Sequence, residues 1–557
     1  MKQQLEQALT TIISNLYAQP ITVVLDRTEE KFGDFATNVA MQLAGSLGSA
    51  PREIAEQIKS SIEADLADLV AKVEIAGPGF INLTVSDSKL AETIYLPVER
   101  SLTGLKVLVE YSDPNPFKPL HAGHLYTTLV GDVIARLLEV TGADVVRLNY
   151  GGDVGLHVGK SMWAILQTLG GEYPEKLSEI PEADRPKWMG KQYVTGNNAY
   201  EDNPEAKAEI VAVNTRVYEL HANNDRDSPF AQIYWNCRNW SYDYFVELYK
   251  QLRVTLFDRV IPESEIVPLG LKTVREQQAN RIYQESDGAI VFKGEAHGLH
   301  TRVFINSKGL PTYETKDVGL LMTKWQDYHF DRSIVITANE QQQYMTVMLK
   351  SVEQYAPELA LKSEHKTHGI VKLKGGVKMS SRKGNVADAL EILEAASSAN
   401  KAATGQDNSD TVLGAVKYAF LKARIGGDII YDPLESVSLE GNSGPYLQYS
   451  YARACSILRK KEDATGDTIV DLEPGERTLV RKLSEYNEVV AKAAAELMPH
   501  HVCGYLYELA QVFNRFYEHN RVLESEREAL RLQLVKAYAE TLKNGLTLLG
   551  LPTPEKM

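Results

Sequence analysis

Two histidines stand three residues apart in "NPFKPLHAGH" (115–124), just ahead of a long apolar-periodic segment. Near a helix start, His121 and His124 at this spacing lie on one face and can reach one ligand. Pro119 sets the chain direction, and Ala122 and Gly123 keep the space between the two side chains open. A helix N-terminus already offers free N–H groups and the positive end of the helix dipole. Histidine donors there can hold a phosphate chain and the charge that builds on it during reaction. Two plainer readings stay open on spacing alone: surface or capping histidines, and half of a zinc site. The zinc reading lacks a third and fourth ligand at suitable spacing.

A second stretch with chemical potential is "GGVKMSSRKGN" (375–385). Glycines, serines, two lysines and an arginine make a cationic loop, in which lysine is a compact donor to phosphate oxygens and serine hydroxyls and backbone N–H groups add to it. A solvated surface loop has the same composition. "GLHVGKS" (155–161) is a near miss to a phosphate-binding loop, with three residues before Gly-Lys where that motif needs four, and is rejected as one.

The elements that must carry these stretches fall into three parts. Residues 1–104 read as a small α+β unit. Leu5, Leu9, Ile12, Ile13 and Leu16 recur at helical spacing. "ITVVL" (21–25) and "VEIAGPGFINLTV" (73–85) read as strands, the second broken at Gly77-Pro78-Gly79. "FATNVAMQLA" (35–44) reads as a helix, with Pro51 in the first turn of the next. From Lys106, the strand "KVLVEYS", a helix with Leu125, Leu129, Val133, Ile134 and Leu137 on one stripe, and the strand "DVVRLNYGGD" form a βαβ unit and so imply a parallel sheet. "GAIVF", "TRVFI" and "SIVITA" are later strands, and residues 161–280 between them look like a helical insertion. Beyond residue 390 the strand signals thin out. Amphipathic helices at 411–425, 444–460, 476–497 and 505–519 predict a helical bundle.

At 557 residues the chain exceeds one hydrophobic core, and 44% apolar with 24% charged residues is the balance of a globular protein. No apolar run is long enough for a membrane span, and "MKQQLEQALTTII" lacks the pattern of a secretory signal. Three scattered cysteines, none in a CxxC pair, fit a reducing cytoplasm and argue against a disulfide framework or a structural zinc. A net charge of −14 does not exclude nucleic acid, because a basic groove can sit on an acidic body.

Taken together, H-A-G-H after the first strand of a parallel sheet and K-M-S-S-R some 250 residues later resemble the HIGH and KMSKS signatures of class I aminoacyl-tRNA synthetases. The flanking "VEYSDPNPFKPLHAGHL", "NYGGDVGLHVG", "GLPTYETKDVGL", "EGNSGPYLQYSYAR" and the final "LGLPTPEKM" look like the arginyl-tRNA synthetase family, in the right order from the N-terminal domain to the last residue. The resemblance implies an α/β fold with three parts. These are an N-terminal tRNA-elbow domain (1–104), a Rossmann-like parallel-sheet catalytic domain (105–390) and an all-α anticodon-binding domain (391–557). It implies activation of arginine by ATP with Mg²⁺, once tRNA is bound, and transfer to the 2′-OH of the terminal adenosine of tRNA(Arg) by a cytoplasmic, membrane-free monomer.

Residue by residue, the resemblance puts His121 and His124 on the ATP phosphates, with Gly123 making room for adenosine. It puts His368 and Gly369 at the adenine, and Lys378 with Met379 and Ser380 over the triphosphate. Ser381 and Arg382 depart from K-M-S-K-S, and the family's compensating lysine ahead of the histidine motif is Lys118 here. Tyr313 and Asp317, four apart and so on one helix face, fall on the substrate guanidinium, which a carboxylate suits. Glu110 and Asn115 match arginine-binding positions, and "ANEQQQYM" supplies a pocket glutamine, Gln342 in preference to Gln341. Asp153 and Gly155 form the family's turn beside the site. Tyr446 and Arg453, with Tyr517 and Met557, match positions near the anticodon, where an aromatic face and a guanidinium suit unstacked bases, and Tyr449 is assigned to packing. Phe80 and Asn82 are placed at the tRNA elbow. A synthetase for cysteine would need zinc ligands that are not found. A non-catalytic paralogue would not need the intact H-A-G-H, and a nucleotidyltransferase would not need the long helical domain.

Overall fold

A computed structural model describes residues 1–374, 388–461 and 471–557. The N-terminal part is a four-stranded antiparallel sheet in the order Asp26–Arg27, Phe35–Thr37, Phe80–Val85, Val70–Ala76. Helices Lys2–Tyr17 and Pro51–Asp65 pack against it through Leu5, Leu9, Ile13, Ile54, Ile58 and Ile62. Two local expectations change. "ITVVL" is not a strand: Val23 and Leu25 are buried, but the ladder begins only at Asp26. "FATNVAMQLA" opens as the strand Phe35–Thr37 and becomes helical at Val39, because its first three residues pair with Ile81–Leu83.

The central sheet has five parallel strands in the order Ser363–His368, Arg332–Ala338, Lys106–Glu110, Asp144–Gly151, Arg259–Pro262. Its run "KVLVE" is almost continuously apolar because both faces are covered. Val107, Val109, Ile334 and Ile336 face one core, and Leu108, Leu148 and Val335 face the other. Helix Ala122–Val140 lies on the first face, wedged between the sheet and the C-terminal helices, so that even Thr127, Thr128 and Asp132 are buried. Helix Tyr313–Tyr328 lies on the second face.

The expected insertion over 161–280 is too wide. Arg259–Pro262 is the fifth strand of the central sheet, and the inserted helices Arg185–Asp202, Pro204–Ala222 and Pro229–Gln251 precede it with their own apolar core. Four residues, with Arg259 and Val260 largely outside the core, leave almost no periodic signal. "GAIVF" and "TRVFI" do form strands, in a separate antiparallel sheet with Gln284–Ser286. The edge strand Ser363–His368 carries no strand signal in its sequence because it is polar. The C-terminal part is helical as expected, except that 476–497 breaks into Pro474–Leu483 and Tyr486–Glu496. Among the described residues, no helix is long and apolar enough to cross a membrane.

Candidate active site

A cleft of about 490 Å³ opens at the carboxyl ends of the central strands. It lies where chain order reverses on either side of Lys106–Glu110, the position at which open α/β sheets bind ligands. Its walls include Glu110, Asn115, Lys118, His121, Gly123, His124, Tyr313, Asp317 and His368, so residues separated by more than 250 positions in sequence share one space. The loop from the first strand into the histidine helix is held in unusual backbone conformations. Ser112, Asp113 and Phe117 take φ of 76°, 48° and 66°, a cost that recurs at functional sites.

The two histidines cap their own helix. Nδ1 of His121 accepts from the Gly123 N–H at 3.1 Å, and Nδ1 of His124 accepts from the His121 N–H at 3.4 Å. A Cβ on residue 123 would lie 2.9 Å from the His121 ring, so glycine is what lets that ring fold back over the helix start. The rings stack with centroids 3.8 Å apart. Burial, then the charge of Lys118, pushes His121 down to about 4. Burial and His121 push His124 well below the ordinary histidine range. Both imidazoles are therefore neutral near pH 7. With each Nδ1 occupied as an acceptor, the single proton of each ring sits on Nε2, which is left as a donor. Capping and phosphate binding are thus one arrangement, not competing readings.

On the opposite face of the sheet, Tyr313 begins its helix, 61% exposed, and Asp317 lies one turn on, 9% exposed. The Oδ2 of Asp317 is buried with no hydrogen-bond partner among the described residues. Burial, then the neighbouring Glu110 and Glu263, pushes its carboxyl well above the usual range. Glu110 is matched by Lys324 at 2.9 Å, both nearly inaccessible. Asn115 accepts from the Gly152 N–H at 3.1 Å. Asp153 is fully buried, accepts from Ser264 and pairs with Arg238, tying the inserted helices to the sheet edge.

Other assignments shift or fall away. Gln341 lines the cleft, whereas Gln342 is exposed on the first turn of its helix, so the geometry favours Gln341 over the Gln342 expected from sequence. One residue of helix rotates a side chain by ~100°, enough to turn it out of the site. His368 lies 2.6 Å from the Thr127 hydroxyl in the cleft wall, but Gly369 packs against the Gly427 backbone instead. Lys378, Met379 and Ser380 lie outside the described residues. Sequence reasoning does not reach Glu263, Lys316 and Tyr344. The first two form a buried ion pair at 2.5 Å, and Glu263 and Tyr344 line the cleft. The available clue is position: Glu263 directly follows a strand end, but that strand lies inside the stretch expected to be an insertion.

In the helical domain, the Arg453 guanidinium lies 4.6 Å over the Tyr517 ring, and the Tyr446 hydroxyl accepts from Asn514 at 2.8 Å. Met557 and Tyr449 are each 46% exposed, so Tyr449 is not the packing residue expected. In the N-terminal domain Phe80 is 42% exposed, while Asn82 is 9% exposed and poorly placed for an outside partner.

Three family models match the chain in order: arginyl tRNA synthetase N-terminal domain over residues 1–85, tRNA synthetases class I (R) catalytic domain over 90–439, and DALR anticodon binding domain over 447–557. Among curated relatives, the arginine–tRNA ligase of Pasteurella multocida is 31% identical, over 98% of this chain and 100% of its own length. That of Phocaeicola vulgatus is 29% identical over the whole of both chains. Among solved structures, arginyl-tRNA synthetase of Thermus thermophilus aligns over all of both chains with a TM-score of 0.82 and 25% identity. The Plasmodium falciparum enzyme shares the fold at a TM-score of 0.81 and 22% identity.

Proposed function

Because the chain belongs to the arginyl-tRNA synthetase family and is an arginine–tRNA ligase, we propose how its cleft divides the work. The arginine carboxylate attacks the α-phosphorus of ATP, an O–P bond forms, and the bond to the β-phosphate breaks as pyrophosphate leaves. The 2′-OH of the terminal adenosine then attacks the arginyl carbonyl and AMP leaves. The protein's part is to position the reactants and stabilise charge. His121 and His124 donate Nε2–H to the phosphates from the helix start, and Lys118 adds a positive charge beside them. By the family resemblance, Lys378 with Met379 and Ser380 contacts the triphosphate, and His368 flanks the adenine.

Asp317 takes the guanidinium, with Tyr313 beside it and Glu263 as a second carboxylate. Glu110, Asn115 and Gln341 fix the rest of the amino acid. One observation carries this reading: the buried, unpartnered Asp317 carboxylate oxygen in the same cleft as two neutral histidine donors. It is an acceptor waiting for a cation, next to donors suited to an anion. Among the described residues, no group of three or more His, Cys, Asp or Glu side chains is arranged to hold a metal ion. Mg²⁺, as the family resemblance implies, would be held mainly by the ATP phosphates and water and would screen charge there.

Tyr446, Arg453, Tyr517 and Met557 read the anticodon end of tRNA(Arg), and Phe80 meets its elbow. The domains are taken as 1–104, 105–390 and 391–557, in a cytoplasmic monomer whose activation step waits for tRNA. The test is to offer a tRNA mixture each labelled amino acid in turn, and to follow arginine-dependent ATP–pyrophosphate exchange with and without tRNA. Arginine alone should be attached. Exchange at full rate without tRNA refutes the tRNA requirement.

A further inference from the structure

The loop that carries Lys118 is pinned on both sides of that residue. The backbone N–H of buried Phe117 donates to the Ser241 hydroxyl at 3.0 Å, and its carbonyl accepts from Ser161 at 3.0 Å. On the other side, the Leu120 carbonyl accepts from the Ala389 N–H at 2.9 Å, and Pro119 lies near Gly190 of the inserted helix Arg185–Asp202, 3.9 Å from where a Cβ on that glycine would stand. That helix is itself clamped. A Cβ on Gly196 would fall 1.9 Å from the Lys160 carbonyl, so its backbone touches the neighbouring helix Leu156–Leu169 directly. What the fold leaves undirected is the four-carbon stem of Lys118, whose rotamer freedom is among the largest of any side chain.

No carboxylate among the described residues pairs with the Lys118 ammonium. It lies instead over the ring of Tyr193, 5.0 Å from the centroid. Tyr193 stands one turn from Gly190 and one turn from Gly196, on the clamped stretch of helix, and is not part of the cleft wall, whereas Lys118 is. A ring face orients a cation without cancelling its charge. A carboxylate in the same place would hold the lysine more tightly but neutralise the charge needed by a phosphate chain.

We propose that Tyr193 is a positioning residue that holds the Lys118 ammonium at the mouth of the cleft for the ATP phosphates. The inference rests on the reading of Lys118 given above. It makes the inserted helix part of the activation machinery, acting through Lys118 and without touching substrate.

The test uses the full-length enzyme with tRNA present and measures ATP–pyrophosphate exchange for Tyr193→Phe, Tyr193→Leu, Lys118→Ala and the Tyr193→Leu/Lys118→Ala double variant. Tyr193→Phe keeps the ring and should stay within about twofold of the parent. Tyr193→Leu should lower kcat/KM for ATP by about five- to thirty-fold, the rate equivalent of one cation–π contact, with KM for arginine unmoved. In the Lys118→Ala background, Tyr193→Leu should add nothing. If Tyr193→Leu behaves as the parent while Lys118→Ala is slow, the positioning role is wrong and the role of Lys118 stands. If Tyr193→Leu slows the Lys118→Ala enzyme by its full factor, or if Phe fails to rescue, Tyr193 acts by some other route and the proposal is overturned. If Lys118→Ala exchanges at the parental rate, both readings fall.

Discussion

Asp34 and Asp317 are both buried aspartates, one at the seam between the N-terminal domain and the C-terminal helices, the other in the cleft. At the seam, Asp34 accepts from the Val85 N–H at 2.8 Å and from Arg477 at 2.7 Å, and Arg481 lies 3.2 Å away. Arg477 continues to Asp87 at 2.9 Å, and nearby Arg27 grips Glu488 through two nitrogens. In the cleft, Asp317 keeps an unpartnered oxygen, and the adjoining loop carries three non-glycine residues with positive φ. The seam spends its charges on the fold itself. The cleft withholds one, at a cost in stability, and that is the mark of a site that a ligand completes.

This contrast can be broken most directly at the seam. Asp34→Ala removes the buried carboxylate shared by Arg477 and Arg481, leaving Arg477 only Asp87, and should cost about 3–5 kcal/mol in denaturant or thermal unfolding, with KM for arginine unchanged in the folded enzyme. An unaltered melting profile would place Asp34 outside the structural network. Asp317→Ala should do the reverse. Arginine affinity falls by about 1.5–3 kcal/mol, the loss of a charge-assisted contact, and stability does not drop. Equal arginine affinity in the variant removes Asp317 from the pocket.

A smaller effect tests the electrostatics. Asp317 holds its proton above the ordinary carboxylate range, so the folded free enzyme binds more protons than the unfolded chain in that window. Its contribution to stability is therefore present at low pH and declines as pH rises through the raised value. Arginine needs the charged carboxylate, so its affinity should climb over the same window. Calorimetry over a pH series rising from the ordinary carboxylate range should show tighter binding with proton release, and Asp317→Asn should flatten the trend. Binding that weakens as pH rises would contradict the assignment. The smallest change is expected at Phe80→Ala, an exposed position: stability within about 0.5 kcal/mol of the parent, but a raised KM for tRNA. An unchanged tRNA KM would separate the elbow contact from this residue.

Much of the site was legible because its signals are local. The histidine spacing, the strand before it and the Tyr313/Asp317 pair each lie within a few residues, and helix and strand periodicity carry them into place. The misses have local causes too. Ser363–His368 is a sheet edge written in polar residues, and Arg259–Pro262 is four residues long. Gln341 and Gln342 straddle the boundary between the short 3-10 turn Asn339–Gln341 and the following helix, so pattern alone could not choose between them. Glu263 had no signal of its own once its strand was hidden.

From its sequence alone, the chain determined a parallel-sheet frame, a histidine pair at a helix start and a carboxylate one helical turn from a tyrosine, because periodicity and capping are settled by near neighbours. Tertiary structure decided which nitrogen of each histidine keeps its proton, that Asp34 is bonded through both oxygens while Asp317 keeps one without a partner, and that a tyrosine in an inserted helix faces Lys118. Those outcomes depend on burial and on partners as far apart as residues 34 and 477, and desolvation and charge pairing act through space, not along the chain.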